Sequence, residues 1–317
     1  MAALPVVGQP SSPYAGTEAC KVCHEDTVKA FAKSPHHLAD TEKTLGWEGR
    51  VCESCHGPGR KHAETGGATA IRNPAKLAAA TIDAICLTCH LGQPTNVGHL
   101  YSSHFKDAVA CTTCHNIHSE KPDRLVVRRP PPHMGQYLGG RQYLGAQQNN
   151  KPEELVVRKP AEINELCSGC HRNVWAEFQR PNHHRLPEGA MTCDDCHNPH
   201  GTIRPAMTRL FAANEPGCFD CHGDKRGPFT FEHAPMRFEG CQACHEPHGS
   251  ANPRMLTRQS VLYVCLECHA NLPTLNRTGT IGVVPPSFHD LRSPIFQNCT
   301  VCHQKIHGSY VNRNLLQ

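Results

Sequence analysis

Apolar and polar positions along this chain do not settle into a long period anywhere. No window sustains an amphipathic helical repeat, and no apolar run is long enough to cross a membrane. Proline and glycine, 26 and 25 residues among 317, interrupt the pattern at short intervals. The pattern predicts a mostly irregular chain with short α-helices, long loops and little or no sheet. The hydrophobic share is 38% and the aromatic share 6%, thin for a chain of this length that builds its core from aliphatic side chains alone. Something else must supply part of the buried apolar area.

The cysteines identify it. All 20 fall in ten copies of Cys-x-x-Cys-His, with cysteine pairs Cys20/Cys23, Cys52/Cys55, Cys86/Cys89, Cys111/Cys114, Cys167/Cys170, Cys193/Cys196, Cys218/Cys221, Cys241/Cys244, Cys265/Cys268 and Cys299/Cys302. The histidines that close them are His24, His56, His90, His115, His171, His197, His222, His245, His269 and His303. Composition alone would give roughly 0.1 copies by chance. Two thiols three residues apart can each add to one vinyl group of a haem, and the adjacent histidine then meets the iron from one face. Zinc sites also use Cys-x-x-Cys but do not require a histidine after every second cysteine, and a thioredoxin-like redox pair occurs once within alternating strands and helices. The expectation is ten covalently attached c-type haems around which the short helices form, and a chain that does not fold without them.

Of 24 histidines, 14 lie outside the motifs. A motif followed 11 to 20 residues later by a histidine alternates with one followed after only 3 to 6. The followers are His36, His62, His104, His118, His183, His200, His233, His248, His289 and His307, which divides the chain into five two-haem units and supplies a second ligand for every iron. In the doublets His36/His37 and His183/His184 either ring could reach. His36 and His183 are preferred because each follows a proline and a small polar residue, in one order or the other. His99 and His133 take the ordinary role of a surface or core histidine. A follower three residues from its own motif histidine, such as His118, His200 or His248, is too close to pass round a porphyrin, so it ligates a neighbouring haem. Which iron each follower serves is left open by the spacing.

The formal charge of +4 changes meaning once the haems are counted. Propionates and ferric centres shift it by up to about −10, to near −6, so the basic balance is no argument for nucleic-acid binding. Residues 1–19 read as an extended N-terminal arm, 20–118 as the first four haems in two units, 167–307 as the last six in three units, and 308–317 as a C-terminal tail. Between them, 119–166 is a Pro/Gly-rich insertion carrying a duplication: Leu125-Val-Val-Arg-Arg-Pro130 recurs as Leu155-Val-Val-Arg-Lys-Pro160. It reads as an exposed loop or, more sharply, as a docking element for a partner. No signal-peptide pattern opens the sequence, while haem attachment of this kind takes place outside the cytoplasmic membrane. The expectation is a periplasmic protein whose export signal is absent from these residues.

The segments Cys52-Glu-Ser-Cys-His56-Gly-Pro-Gly-x-x-His62, Cys193-Asp-Asp-Cys-His197-Asn-Pro-His200-Gly, Cys241-x-x-Cys-His245-Glu-Pro-His248-Gly-Ser and His303-x-x-x-His307-Gly carry a family resemblance. From about Cys20 to His307 the chain resembles the MtrA/DmsE/PioA family of decahaem cytochromes. The resemblance implies an elongated, single-file haem chain with every iron held by two histidines. It also implies residence in an outer-membrane β-barrel porin, with electrons passing from a periplasmic or inner-membrane cytochrome to an extracellular cytochrome or terminal reductase. On this reading the protein is an electron carrier for extracellular electron transfer and not an enzyme. Two other classes stay in view: a filament-forming extracellular cytochrome, and a multihaem reductase. The reductase would need an iron with an open face or a Cys-x-x-Cys-Lys motif, and none occurs.

Overall fold

The computed structural model describes residues 12–118, 160–209, 215–270, 289, 291 and 293–316. Its backbone is built around the cysteine motifs. In the first part α1 (Thr17–Lys21), α2 (Glu25–Phe31), α3 (Leu38–Thr41), α4 (Cys52–His56), α5 (Arg60–Thr65), α6 (Ala79–His90), α7 (Ser103–Lys106) and α8 (Cys111–Cys114) are joined by 3-10 turns and irregular chain. The second part holds α9 (Pro160–Ser168), α10 (Arg172–Glu177), α11 (Cys193–Cys196), α12 (Pro235–Phe238) and α13 (Val261–His269). Even α6, with 12 residues, makes little more than three turns. The predicted scarcity of sheet is observed: β1 (Phe231–Glu232) pairs antiparallel with β2 (Gly308–Ser309), in the register Phe231↔Ser309 and Glu232↔Gly308. No described helix is long and apolar enough to cross a membrane.

Chain contacts divide the molecule into two units, residues 1–158 and 159–317. In the first, the segment read as an extended arm is tied down at its end. Ala15 and Gly16 donate backbone N–H bonds to Glu53 at 2.9 and 3.0 Å, the Arg50 guanidinium lies over the Tyr14 ring at 4.7 Å, and α1 begins at Thr17. In the second, α9 begins at Pro160, so the end of the 119–166 stretch is helical. The duplicated sequence, all but its last residue Pro160, and His133 lie outside the described residues.

The described residues contain few buried apolar side chains: Val51, Ile82, Ala110, Phe178, Leu186, Phe219 and Leu315. The most deeply buried large side chains are Glu53 and Asp83, each 1% exposed, while Val22, Ile203 and Phe238 stand more than four-fifths exposed. Such a chain inverts the usual order of burial. Its polar residues hold loops in place and its apolar surface is left for a different partner.

Candidate haem centres

Every motif is wound into a single helical turn. In α4, α6 and α13 the motif lies inside a helix. Elsewhere the motif histidine donates its backbone N–H to the carbonyl of the first cysteine, at 2.9 to 3.0 Å for His24, His115, His171, His197, His222, His245 and His303. Positions i, i+3 and i+4 of such a turn share one face, so both sulfurs and the imidazole are presented to the same side. The spacing of the motif is thereby turned into a covalent haem cradle.

Successive motifs are held together by short polar side chains three residues before an odd-numbered motif. Asp83 accepts from the Cys111 N–H at 2.9 Å. Asn164 accepts from the Cys193 N–H at 3.1 Å and donates to the carbonyls of Leu186 and Met191 at 3.1 and 3.0 Å. Thr17 donates to Asp40, whose carboxylate also accepts from the Val51 N–H at 3.0 Å, next to Cys52. The first sulfurs of paired motifs consequently meet: Cys20 with Cys52, Cys86 with Cys111, Cys167 with Cys193, Cys218 with Cys241, and Cys265 with Cys299. The contacts are close enough to split the thiols. Cys218 and Cys299 are each pulled down to about 6 by the hydrogen bond from the partner sulfur, and Cys241 and Cys265 are pushed up. Second sulfurs approach the next unit in turn, Cys55 to Cys86, Cys196 to Cys218 and Cys244 to Cys268. Motifs that are neighbours in sequence are thus neighbours in space within each unit.

Eight of the ten second cysteines, Cys23, Cys89, Cys114, Cys170, Cys196, Cys221, Cys268 and Cys302, are exposed, as is one first cysteine, Cys218, and the other eleven are half-buried. Cys89 and Cys221 still stand near a second sulfur of the preceding motif, Cys55 and Cys196 respectively. Protein side chains leave the exposed positions open. Their exposure suits a thiol that must meet the vinyl edge of a large ring, and not a cysteine packed into a core.

The imidazoles then pair across the chain. Ring centroids stand 6.2 Å apart for His24–His62, 5.8 Å for His36–His90, 5.9 Å for His56–His118, 6.2 Å for His184–His222 and 6.1 Å for His197–His248. The remaining pairs are His233–His269 at 6.2 Å, His245–His307 at 6.3 Å and His289–His303 at 6.1 Å. Each joins one motif histidine to one that lies outside the motifs. A first-row metal bonded to an imidazole nitrogen at about 2.0–2.1 Å puts two trans ring centroids about 6.3 Å apart, so the gap matches one iron and is too wide for ring stacking. Burial, with the facing imidazole adding to it, holds His36, His118, His233 and His289 below the ordinary histidine range. They are neutral at pH 7 with a lone pair to offer. For His307 the Lys225 ammonium acts after burial in the same direction.

The second nitrogen is fixed as well. Nδ1 donates to a backbone carbonyl in His56 (Arg72, 3.0 Å), His62 (Gly67, 3.1 Å), His184 (Pro247, 2.7 Å), His197 (Ala206, 2.8 Å), His245 (Arg254, 3.0 Å) and His303 (Asn314, 2.7 Å). A carbonyl can only accept, so the proton sits on Nδ1 and Nε2 is the atom available to a metal. In His248 the Nδ1 partner is the Glu177 carboxylate, at 2.9 Å.

The doublet at 183 and 184 departs from the expectation. His184, and not His183, faces His222. Asn182 pairs with Ser250 as an isolated antiparallel bridge, so side chains alternate about it and 182 and 184 share one side. His183 points the other way, between the Arg180 carbonyl at 2.5 Å and Glu188 at 3.1 Å. The same device recurs at β1–β2, where Phe231 pairs with Ser309 and His233 and His307 flank the bridge at the offsets of His184 and His248. Glycine is required at both crossings: a Cβ on Gly249 would lie 2.3 Å from the Glu177 carbonyl, and one on Gly308 2.1 Å from the Phe229 ring. In the other doublet His36 faces His90, while His37 packs edge-on against Phe31. His104 and His200 are described, and none of the eight pairs contains them.

His99 is buried against Phe105 and bonds Asp83 at 3.3 Å. Asp83, His99 and Cys111 bring three metal-binding atoms within 4.8 Å of one another, but Cys111 belongs to a haem motif, which leaves the other two as a structural pair. Asp83, Asn164, Glu53 and Glu177 have no place in the motif pattern. The signal for the first two was an Asp or Asn three residues before a motif cysteine.

Comparison with known proteins agrees with this geometry. A family described as a doubled CXXCH motif matches residues 183–227 and 233–274. The chain is 33% identical over 304 residues to the multihaem cytochrome MtrA of Shewanella baltica (strain OS185), an alignment covering 93% of this chain and 78% of that relative.

Proposed function

Because the chain belongs to the family of the multihaem cytochrome MtrA, we propose that it is a decahaem electron conduit seated in an outer-membrane β-barrel porin, with ten irons each held between two histidines. The coarser part needs no proposal: it is an electron-transfer cytochrome carrying covalent c-type haems. The observation that carries the two-histidine part of this reading is the set of eight facing imidazole pairs at 5.8 to 6.3 Å, and the likeness to MtrA supports the porin part. Within the first unit these pairs leave His104 for His115, and within the second they leave His200 for His171, which completes ten. The ligand set is then the ten motif histidines with His36, His62, His104, His118, His184, His200, His233, His248, His289 and His307.

Bound haem supplies one-electron redox chemistry and the chain's residues do the rest. The follower of motif 1 reaches motif 3, and those of motifs 4, 8 and 10 reach back to motifs 2, 6 and 8, so each ligand ties together segments carrying different haems. Nδ1 bonds hold seven of these rings in the ligating tautomer. With a histidine on each face no iron keeps an open position for substrate, which favours conduction over catalysis. All ten pairs close within their own unit, four in 20–118 and six in 167–307. We assign the protein to the periplasmic side of the outer membrane, its donor to a periplasmic or inner-membrane cytochrome and its acceptor to an extracellular cytochrome or terminal reductase.

The test is purification of the tagged holoprotein from solubilised native outer membranes, then reconstitution in vesicles enclosing reduced methyl viologen with ferric citrate outside. Co-elution with a β-barrel and fast bleaching that needs both proteins is the expected result. A cytochrome that elutes alone, or bleaching no faster than with the barrel by itself, would overturn the porin assignment.

A further inference from the structure

Glu177 stands apart from the other groups that hold the facing imidazoles. Six of those rings donate Nδ1–H to a neutral backbone carbonyl, whereas His248 donates to a carboxylate. The pair is not a loose surface contact. Glu177 ends α10, and the next residue, Phe178, is buried and packs against the His248 ring at 5.2 Å. On the other side the Glu177 carbonyl presses on Gly249, whose own carbonyl accepts from Arg180 at 2.9 Å. The Asn182–Ser250 bridge closes the clamp. Both ends of the 2.9 Å bond are therefore fixed by backbone. A carboxylate draws the Nδ1 proton toward itself and makes the ring a stronger, more anionic donor at Nε2, which favours the ferric over the ferrous state of a metal held there.

We propose that Glu177 is a tuning residue for the haem of the sixth motif, Cys193 to His197, lowering its reduction potential through His248. The inference rests on the proposed His197–His248 ligation. It identifies one centre in the six-haem unit that the protein sets by charge, where the carbonyl-bonded rings are held by neutral partners.

The experiment is spectroelectrochemical titration of the holoprotein and its Glu177→Gln variant at fixed pH, with low-temperature EPR on both. A glutamine keeps an acceptor oxygen without the charge. One of the ten one-electron components should move to higher potential, with about a tenfold rise in its reduced-to-oxidised ratio at fixed potential, or ~59 mV for a one-electron couple. One low-spin signal should shift with it. Glu177→Asp, which keeps the charge but withdraws it from Nδ1, should move the same component in the same direction, and it serves if the first variant does not accumulate. Glu188→Gln removes a carboxylate from His183, which faces no motif imidazole, and should move nothing. Unmoved components in both Glu177 variants, or an equal shift with Glu188→Gln, would overturn the proposal. His248→Ala separates this from the ligation reading: a new high-spin haem with unmoved Glu177 variants sinks the tuning role alone, and ten unchanged low-spin haems sink the ligation.

Discussion

Replacing Asn164 by leucine tests how far one buried side chain sets the distance between two haem cradles. Asn164 is 2% exposed, and its amide makes three hydrogen bonds to backbone: it donates to Leu186 and Met191 and accepts from Cys193. Leucine fills a similar volume and makes none of them, leaving one N–H and two carbonyls without their partner. Each orphaned group costs about 1–3 kcal/mol, and with partial rescue of the carbonyls by water a total of about 3–5 kcal/mol follows. For a unit of this size each kcal/mol lowers the melting temperature by roughly 2–4 °C, so a drop on the order of 10 °C is expected. Soret-region circular dichroism of the holoprotein during heating reads it directly, because the excitonic signal depends on how neighbouring haems are held. Asn164→Asp should cost a similar amount, since it removes both donors and sets a carboxylate against two carbonyls. A melting temperature within about 2 °C of wild type for both variants would refute the reasoning.

Three further outcomes follow from the same structure. His184→Ala should leave one high-spin haem in the EPR spectrum at full haem content, while His183→Ala should leave the spectrum unchanged. Glu53→Ala should loosen the N-terminal segment. It strips the acceptor from the N–H groups of Ala15, Gly16 and Gly59, the last at 2.6 Å, and charge-assisted bonds of this kind contribute about 1.5–3 kcal/mol each, so limited proteolysis near residue 14 should quicken strongly. Gly308→Ala should open the β1–β2 crossing, because the new methyl would sit 2.1 Å from the Phe229 ring at a φ of +149°, and it should perturb the haems served by His233 and His307 together, read as two altered components in the redox titration.

Local chemistry was legible in the sequence because it is local. Cys-x-x-Cys-His determines its own helical turn, and the scarcity of apolar periodicity already pointed to little or no sheet, which the two-residue pairing of β1 and β2, the one named sheet among the described residues, bears out. How much protein covers each sulfur was not legible: Cys52 meets Cys20 and is half-buried, while Cys218 meets Cys241 and is exposed. The choice between His183 and His184 was hidden too. It depends on which side of an extended segment faces inward, and that is set by Ser250, 68 residues away. The crossing of ligands between non-adjacent motifs has the same origin, since a histidine's sequence offset says how far it can reach and not what lies there. Asp83, Asn164 and Glu177 escaped notice for a related reason: each is an ordinary polar residue until the fold brings a distant backbone N–H or imidazole to it.

Low-temperature EPR combined with near-infrared magnetic circular dichroism of the oxidised holoprotein, quantified against total haem, tests the bis-histidine conduit most directly. Ten low-spin haems, all with bis-histidine charge-transfer bands, are predicted. A high-spin or histidine–methionine fraction in the wild-type protein would contradict it and bring an enzyme with an open iron to the front.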